Sequence, residues 1–132
     1  MVPLCINEPE SSTMRRVFNV DPGLVVWWCT QIEGLSALSR LVRMGQFTAE
    51  EVAIARSRWL SLCASATEVR PVEDVRVQAA RLLASYPLRG ADALQLGAAL
   101  VWARGHATGS EFISLDGRLC DAARQEGFTV MP

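Results

Sequence analysis

Three acidic residues, Glu33, Asp92 and Asp116, stand where carboxylates could do chemistry. Each falls beside a predicted junction between a strand or loop and a helix. Glu33 lies in the first turn of a helix that follows the apolar run at residues 24–28, Asp92 opens a strongly apolar helix, and Asp116 follows directly on a strand at residues 111–115. In an open parallel α/β sheet, ligands gather outside the carboxyl ends of the strands. Glu33 and Asp116 are delivered to that edge, and Asp92 joins them if its helix starts on the same side. Carboxylate oxygens gathered there are the donors that Mg²⁺ or Mn²⁺ takes. Such an ion activates water and offsets charge at a phosphodiester.

Each acid also has a structural reading. Thr30-Gln-Ile-Glu33 has the form of a capping box, with Thr30 as N-cap and Glu33 three residues on. Asp116 is a good N-cap for the last helix, and Asp92 suits the positive end of a helix dipole. Asp92 stands in Leu-Arg-Gly-Ala-Asp-Ala-Leu-Gln-Leu, among residues destined for burial, so its charge needs a partner.

The elements that must position these acids follow from hydrophobic periodicity. Leu24-Val-Val-Trp-Trp28 is continuous, β-branched and aromatic, and reads as a buried strand with Trp27 and Trp28 in the core. Its lack of alternation suits a parallel sheet covered on both faces. A helix from Thr30 carries Ile32, Leu35, Leu38, Leu41 and Val42 on one face and stops at Gly45. Thr48-Ala-Glu-Glu51 starts another helix, carried by Val52, Ala55, Trp59 and Leu62. Residues 68–72 form a short strand, with Pro71 placing it at an edge or an end. Residues 73–86 form an amphipathic helix with Val77, Ala80 and Leu83 in register, stopped by Pro87. Residues 91–104 form a helix buried on most sides, ended by Gly105. Asp116 opens a last helix, capped by Gly127, and residues 128–131 close the chain as a strand. At the other end, residues 8–18 form a short helix and Asp21-Pro22-Gly23 a turn. The alternation predicts an α/β sandwich around a mostly parallel sheet.

The bulk properties agree with one domain: 132 residues, half of them hydrophobic, with a net charge of −1. All 13 basic residues are arginine, which reads as coding-sequence bias before it reads as selection for phosphate contacts. Overall charge gives no sign of a nucleic-acid binder, although a local basic groove remains compatible with it. The cysteines Cys5, Cys29, Cys63 and Cys120 form no C-x-x-C pair, and His106 has none close by, so zinc is not expected. Cys29 and Cys63 read as small buried hydrophobes, and reduced thiols in a cytoplasmic protein are expected. The N-terminus lacks the form of a signal peptide, and no apolar run is long enough to span a bilayer. Among other polar residues, Arg89 is weighed as a phosphate or carboxylate contact against an exposed loop arginine. Ser114 is weighed as a hydrogen-bond partner of a metal-bound water against an ordinary strand residue.

Three blocks resemble the PIN-domain family, especially the VapC-like toxins. Thr30-Gln-Ile-Glu-Gly-Leu-Ser-Ala-Leu38 is similar to the family's T-x-x-E-x-x-S-A-L segment, Pro87-Leu-Arg-Gly-Ala-Asp-Ala-Leu-Gln-Leu96 to its L-R-x-x-D-A-x-x-L, and Phe112-Ile-Ser-Leu-Asp-Gly-Arg-Leu119 to its F-x-T-x-D-x-R-L. Asn7-Glu-Pro-Glu-Ser11 looks like the stretch after the family's first strand. The resemblance implies a PIN-like three-layer sandwich and a ribonuclease that holds Mg²⁺ or Mn²⁺ on Glu33, Asp92 and Asp116. It also implies the toxin role in a type II toxin–antitoxin pair, with RNA as substrate, a small antitoxin protein as partner and a homodimer as a further assembly.

The family's first acid lies in a D-T/S-S motif ending its opening strand, and no aspartate precedes Glu8 here. Residues 1–132 are therefore expected to be an N-terminally truncated PIN-like domain without that strand and acid, a start assigned too far downstream being the preferred explanation. The missing strand would leave its neighbours without ladder partners, and the missing carboxylate would weaken the metal site. The competing functional reading is a catalytically inactive PIN relative that acts as a protein-binding module. A helical DNA-binding regulator ranks last, because no helix carries an arginine stripe.

Overall fold

A computed structural model describes residues 23–131. The expected helix at 8–18, the match at 7–11 and most of the 21–23 turn lie outside those residues. The fold is mixed α/β, and the chain divides into two compact units, Met1–Glu68 and Val69–Pro132.

In the first unit, strand β1 (Val25–Trp27) leads into helices α1 (Thr30–Arg43) and α2 (Ala49–Ser65), and strand β2 (Thr67–Val69) follows at its boundary. The two strands pair, and Thr67 N–H donates to the Leu24 carbonyl at 2.9 Å. Both are shorter than expected. β1 stops at Trp27, which is buried, and Trp28 falls in the following turn at 51% exposure, so the expectation that both indoles are core holds for Trp27 only. β2 ends before Pro71, whose missing N–H cannot extend a ladder.

α1 ends in a Schellman motif. Gly45 takes φ +67°, its N–H donates to Val42, and Gln46 N–H donates to Leu41. α2 begins with the expected capping box: Thr48 Oγ1 accepts from Glu51 N–H at 3.2 Å, and Thr48 N–H donates to Glu51 Oε2 at 2.8 Å. Those bonds to Thr48, the backbone one first, hold the Glu51 carboxyl below its ordinary value.

The two helices enclose Leu38, Ala55 and Trp59, with Leu35, Leu41 and Val52 packed around them. The packed stripe of α1 follows the periodicity at Leu35, Leu38 and Leu41 but is shifted at its edges. Ile32 and Val42 are exposed, while Gly34 and Leu38 are buried. The reason is Trp59, whose ring lies against the Gly34 backbone and whose Nε1–H donates to the Gln31 carbonyl at 2.9 Å. A large ring takes the place that a side chain at position 34 would need, and it turns that face of α1 inward.

The second unit contains helices α3 (Glu73–Ser85) and α4 (Gly90–Trp102), strand β3 (Glu111–Ile113), helix α5 (Gly117–Gln125) and strand β4 (Thr129–Met131). β3 and β4 are parallel, pairing Glu111 with Thr129, Phe112 with Val130 and Ile113 with Met131. A parallel pair needs a crossover between its strands, and α5 supplies it. α5 also ends in a Schellman motif: Gly127, at φ +99°, donates to Arg124, and Phe128 N–H donates to Ala123.

The core here gathers Leu82, Leu96, Phe112, Leu119 and Phe128, the two phenylalanine rings standing 5.6 Å apart. α3 is rotated from its expected phase. Val75, Ala79 and Leu82 are buried, whereas Val77 is 58% and Leu83 46% exposed. Gly97 explains the choice. A Cβ built there would lie 3.0 Å from the Val75 carbonyl oxygen and 3.1 Å from Ala79 N, so the backbones of α3 and α4 meet at these residues. α4 is buried along Ala93, Leu96, Gly97, Ala98 and Leu100, as its composition suggests, but Trp102 at its end is 46% exposed.

Cys29 and Cys63 are half-buried rather than fully buried, and Cys120 is buried; all three are free thiols. Burial, followed by the charge of Glu68, pushes the Cys63 thiol up from its ordinary value. Among the described residues, no helix is long and apolar enough to cross a membrane.

Candidate functional site

Asp116 is the N-cap of α5. Its Oδ1 accepts from Leu119 N–H at 3.0 Å, and its own N–H donates to Ser114 Oγ at 3.1 Å. That turn ends β3 before Leu115, which is 51% exposed rather than part of the strand. Ser114 is thus a turn residue that orients the Asp116 backbone. Asp92 lies in the first turn of α4 and is half-buried, and its Oδ2 accepts from Arg89 N–H at 3.1 Å. The partner that its setting demands is therefore a backbone amide at the positive end of the helix. In each case one carboxylate oxygen satisfies a helix-terminal N–H. The other, Asp92 Oδ1 or Asp116 Oδ2, has no hydrogen bond among the described residues.

Glu33 belongs to the first unit, exposed in the first turn of α1. The expected capping box is not formed. α1 starts at Thr30 with Cys29 as its N-cap, and no side chain caps it. Cys29 has helical backbone angles, so the turn runs into the helix without the extended residue that a box requires.

No family model, no curated protein and no solved structure matches this chain. The resemblance to the PIN family therefore rests on its three sequence blocks.

The donor chemistry of Asp92 and Asp116 suits a hard cation, and each carboxylate is oriented by an N–H that leaves one oxygen open. Their number falls short: among the described residues, no group of three or more His, Cys, Asp or Glu side chains could hold a metal ion. Mg²⁺ is commonly held by one or two carboxylates, with water and substrate phosphate completing its shell.

Arg89 is exposed at the start of α4, with its backbone rather than its side chain bonded to Asp92. His106 is a loop residue, as expected, with Nδ1 lying 3.0 Å from the Arg104 carbonyl oxygen. A groove of about 320 Å³ opens beside α1 and α2, lined by Ile32, Leu35, Ser36, Ser39, Val52 and Arg56 among others. Periodicity pointed to apolar faces on these helices but not to a concavity.

Sequence reasoning missed a polar cluster altogether. Arg81 on α3 grips Glu126, the residue that ends α5, through Nη1 to Oε1 at 3.0 Å and Nη2 to Oε2 at 2.6 Å. Tyr86 donates its hydroxyl to the same Oε1 at 2.8 Å. The partners lie 45 and 40 residues apart in sequence, beyond the reach of any local pattern.

The cap at Asp116 gives a direct prediction. Asp116→Ala is expected to cost about 1 kcal/mol in urea denaturation, whereas Asp116→Ser, which keeps a capping oxygen, stays within a few tenths. Equal losses in both variants would show that the cap bond contributes nothing.

Proposed function

We propose that the chain is a metal-dependent endoribonuclease of the PIN-like kind, the toxin of a type II toxin–antitoxin pair, built on a PIN-like three-layer sandwich. The observation that carries this reading is the placement of Asp92 and Asp116. They start two helices, one of them a short turn after a parallel strand, and each keeps a carboxylate oxygen free of hydrogen bonds among the described residues. Asp92 and Asp116 would hold Mg²⁺ or Mn²⁺. The ion supplies charge neutralisation at the phosphodiester and a more acidic water. The chain's own part is to aim the carboxylates. Arg89 N–H and Leu119 N–H do this by fixing the side-chain rotamers. Arg89, exposed at the start of α4, suits an RNA phosphate.

RNA cleavage by the purified chain tests the reading, measured with Mn²⁺, with chelator and with Asp92→Asn, after circular dichroism has shown both proteins folded. Cleavage is expected to need metal. It should fall about 100-fold or more in the variant, since even residues outside the metal's own shell cost up to ~100-fold. Metal-independent cleavage, or full activity in Asp92→Asn, overturns it.

The shortfall of ligands among the described residues favours a second reading, a non-catalytic PIN relative that binds a protein partner. The groove beside α1 and α2 is the surface it would use. A folded chain without metal-dependent cleavage decides for this alternative.

A further inference from the structure

We infer that Arg81, Tyr86 and Glu126 form an acid-sensitive latch that ties the α5–β4 end of the second unit to α3. The geometry is that of a fastening rather than a surface ion pair. Arg81 meets both oxygens of Glu126 at 3.0 and 2.6 Å, and Tyr86 adds a third bond at 2.8 Å. The Glu126 side chain is only 12% exposed and that of Arg81 47%, whereas in the Arg76–Glu73 and Arg124–Asp121 pairs both side chains are more than half exposed. Two parallel N–H···O bonds to a carboxylate fix orientation as well as distance.

The position of Glu126 gives the latch its effect. Glu126 is the C-cap of α5, and its own N–H donates to Ala122. The next two residues make the Schellman bonds and lead into β4, which pairs with β3. Tyr86 is the C-cap of α3, its N–H donating to Leu82. The latch thus joins two helix C-termini, and its release frees the turn that feeds β4.

The neighbouring charges leave Glu126 as the group that titrates it. α4 carries Asp92, engaged by Arg89 N–H, β3 carries Glu111, and β4 carries no charge. On α5, Arg124 pairs with Asp121, and Arg118 stands near the other end. The Arg81 bonds hold the Glu126 carboxyl below its ordinary value against the opposing effect of burial, with Tyr86 adding to the lowering. The latch is therefore complete above the ordinary glutamate value and is lost as pH falls through the lowered one.

Tyr86 is the single tyrosine of the chain, so a ring-¹³C-tyrosine label reports on the latch through one residue. An NMR titration of the full chain from neutral to acid pH is expected to shift that signal with a midpoint below the ordinary glutamate value. At the same midpoint, amide protection at Phe128 and Val130 should fall while that of Leu96 and Leu100 persists. Glu126→Gln abolishes the titration. Arg81→Lys, a milder change for the case in which the first variant unfolds, moves the midpoint up. An unresponsive signal, a Glu126→Gln chain that titrates unchanged, or protection lost at all four amides together overturns the inference.

Discussion

Gly34→Ala is expected to destabilise the protein by about 3 kcal/mol, at the upper end of what overpacking a core costs. The added Cβ would lie 2.1 Å from Trp59 Cε2, 2.3 Å from Nε1 and 2.4 Å from Cζ2. Two effects compete. Alanine is the better helix former by about 1 kcal/mol, which favours the variant. Against this stands a ring that has nowhere to go. Trp59 is 1% exposed, packs with Leu38 and Ala55, and holds the Gln31 carbonyl at 2.9 Å. Shifting the indole forfeits that hydrogen bond and leaves the N–H unpaired, a cost on the order of 1–3 kcal/mol. The steric effect therefore wins. Urea denaturation followed by circular dichroism measures the loss, and the Trp59 indole N–H resonance should move in the variant. A stability equal to or above that of the parent would mean that the ring does not sit against Gly34.

Adjacent leucines on α3 provide the second large contrast. Leu82→Ala is expected to cost about 3 kcal/mol, and Leu83→Ala less than about 1 kcal/mol. Leu82 is 0% exposed in a cluster that includes Leu96 and Leu119, so truncation leaves a cavity that a tightly packed interior fills poorly. Leu83 is 46% exposed, and its truncation mainly returns surface to water. The pair tests the phase of the helix, because the periodicity of Val77, Ala80 and Leu83 assigns the opposite order. Chemical denaturation of the two variants side by side decides it, and a larger loss at Leu83 would overturn the orientation of α3.

The element order was legible because its signals are local. Thr48 to Glu51 is a capping box within four residues, and Asp116 caps the helix that it opens. Pro87 and the glycines at 45, 105 and 127 mark helix ends, where a missing N–H or a positive φ is the requirement. Thr30 to Glu33 has the same spelling as a capping box and forms none. Spelling permits a cap, but the backbone angles at Cys29 withhold it. The strands were legible in place and overestimated in length, since an apolar run does not record where its ladder stops. At residue 114 the stop is a serine hydroxyl that accepts the Asp116 N–H.

The site divides along the same line. The residue types and spacing of Glu33, Asp92 and Asp116 marked them as candidates, and the sequence alone indicated hard oxygen donors at helix starts. Whether carboxylates converge depends on long-range packing, which local spelling does not encode. Among the described residues, packing uses Asp92 and Asp116 as amide acceptors.

By itself, then, the sequence determined which of the described segments are helix or strand, where most of them end, and which acids stand at helix starts. Those properties follow from backbone sterics and hydrogen bonds within a few residues. Tertiary structure alone decided which face of α3 is buried and that Gly34 joins the packed face of α1. A helix with apolar residues on more than one side has several phases of similar local free energy, and a close approach at Gly34 or Gly97 selects among them. It alone also brought Arg81 and Tyr86 onto Glu126, because only the folded chain places those groups within hydrogen-bond distance and excludes enough water for their pairing to matter.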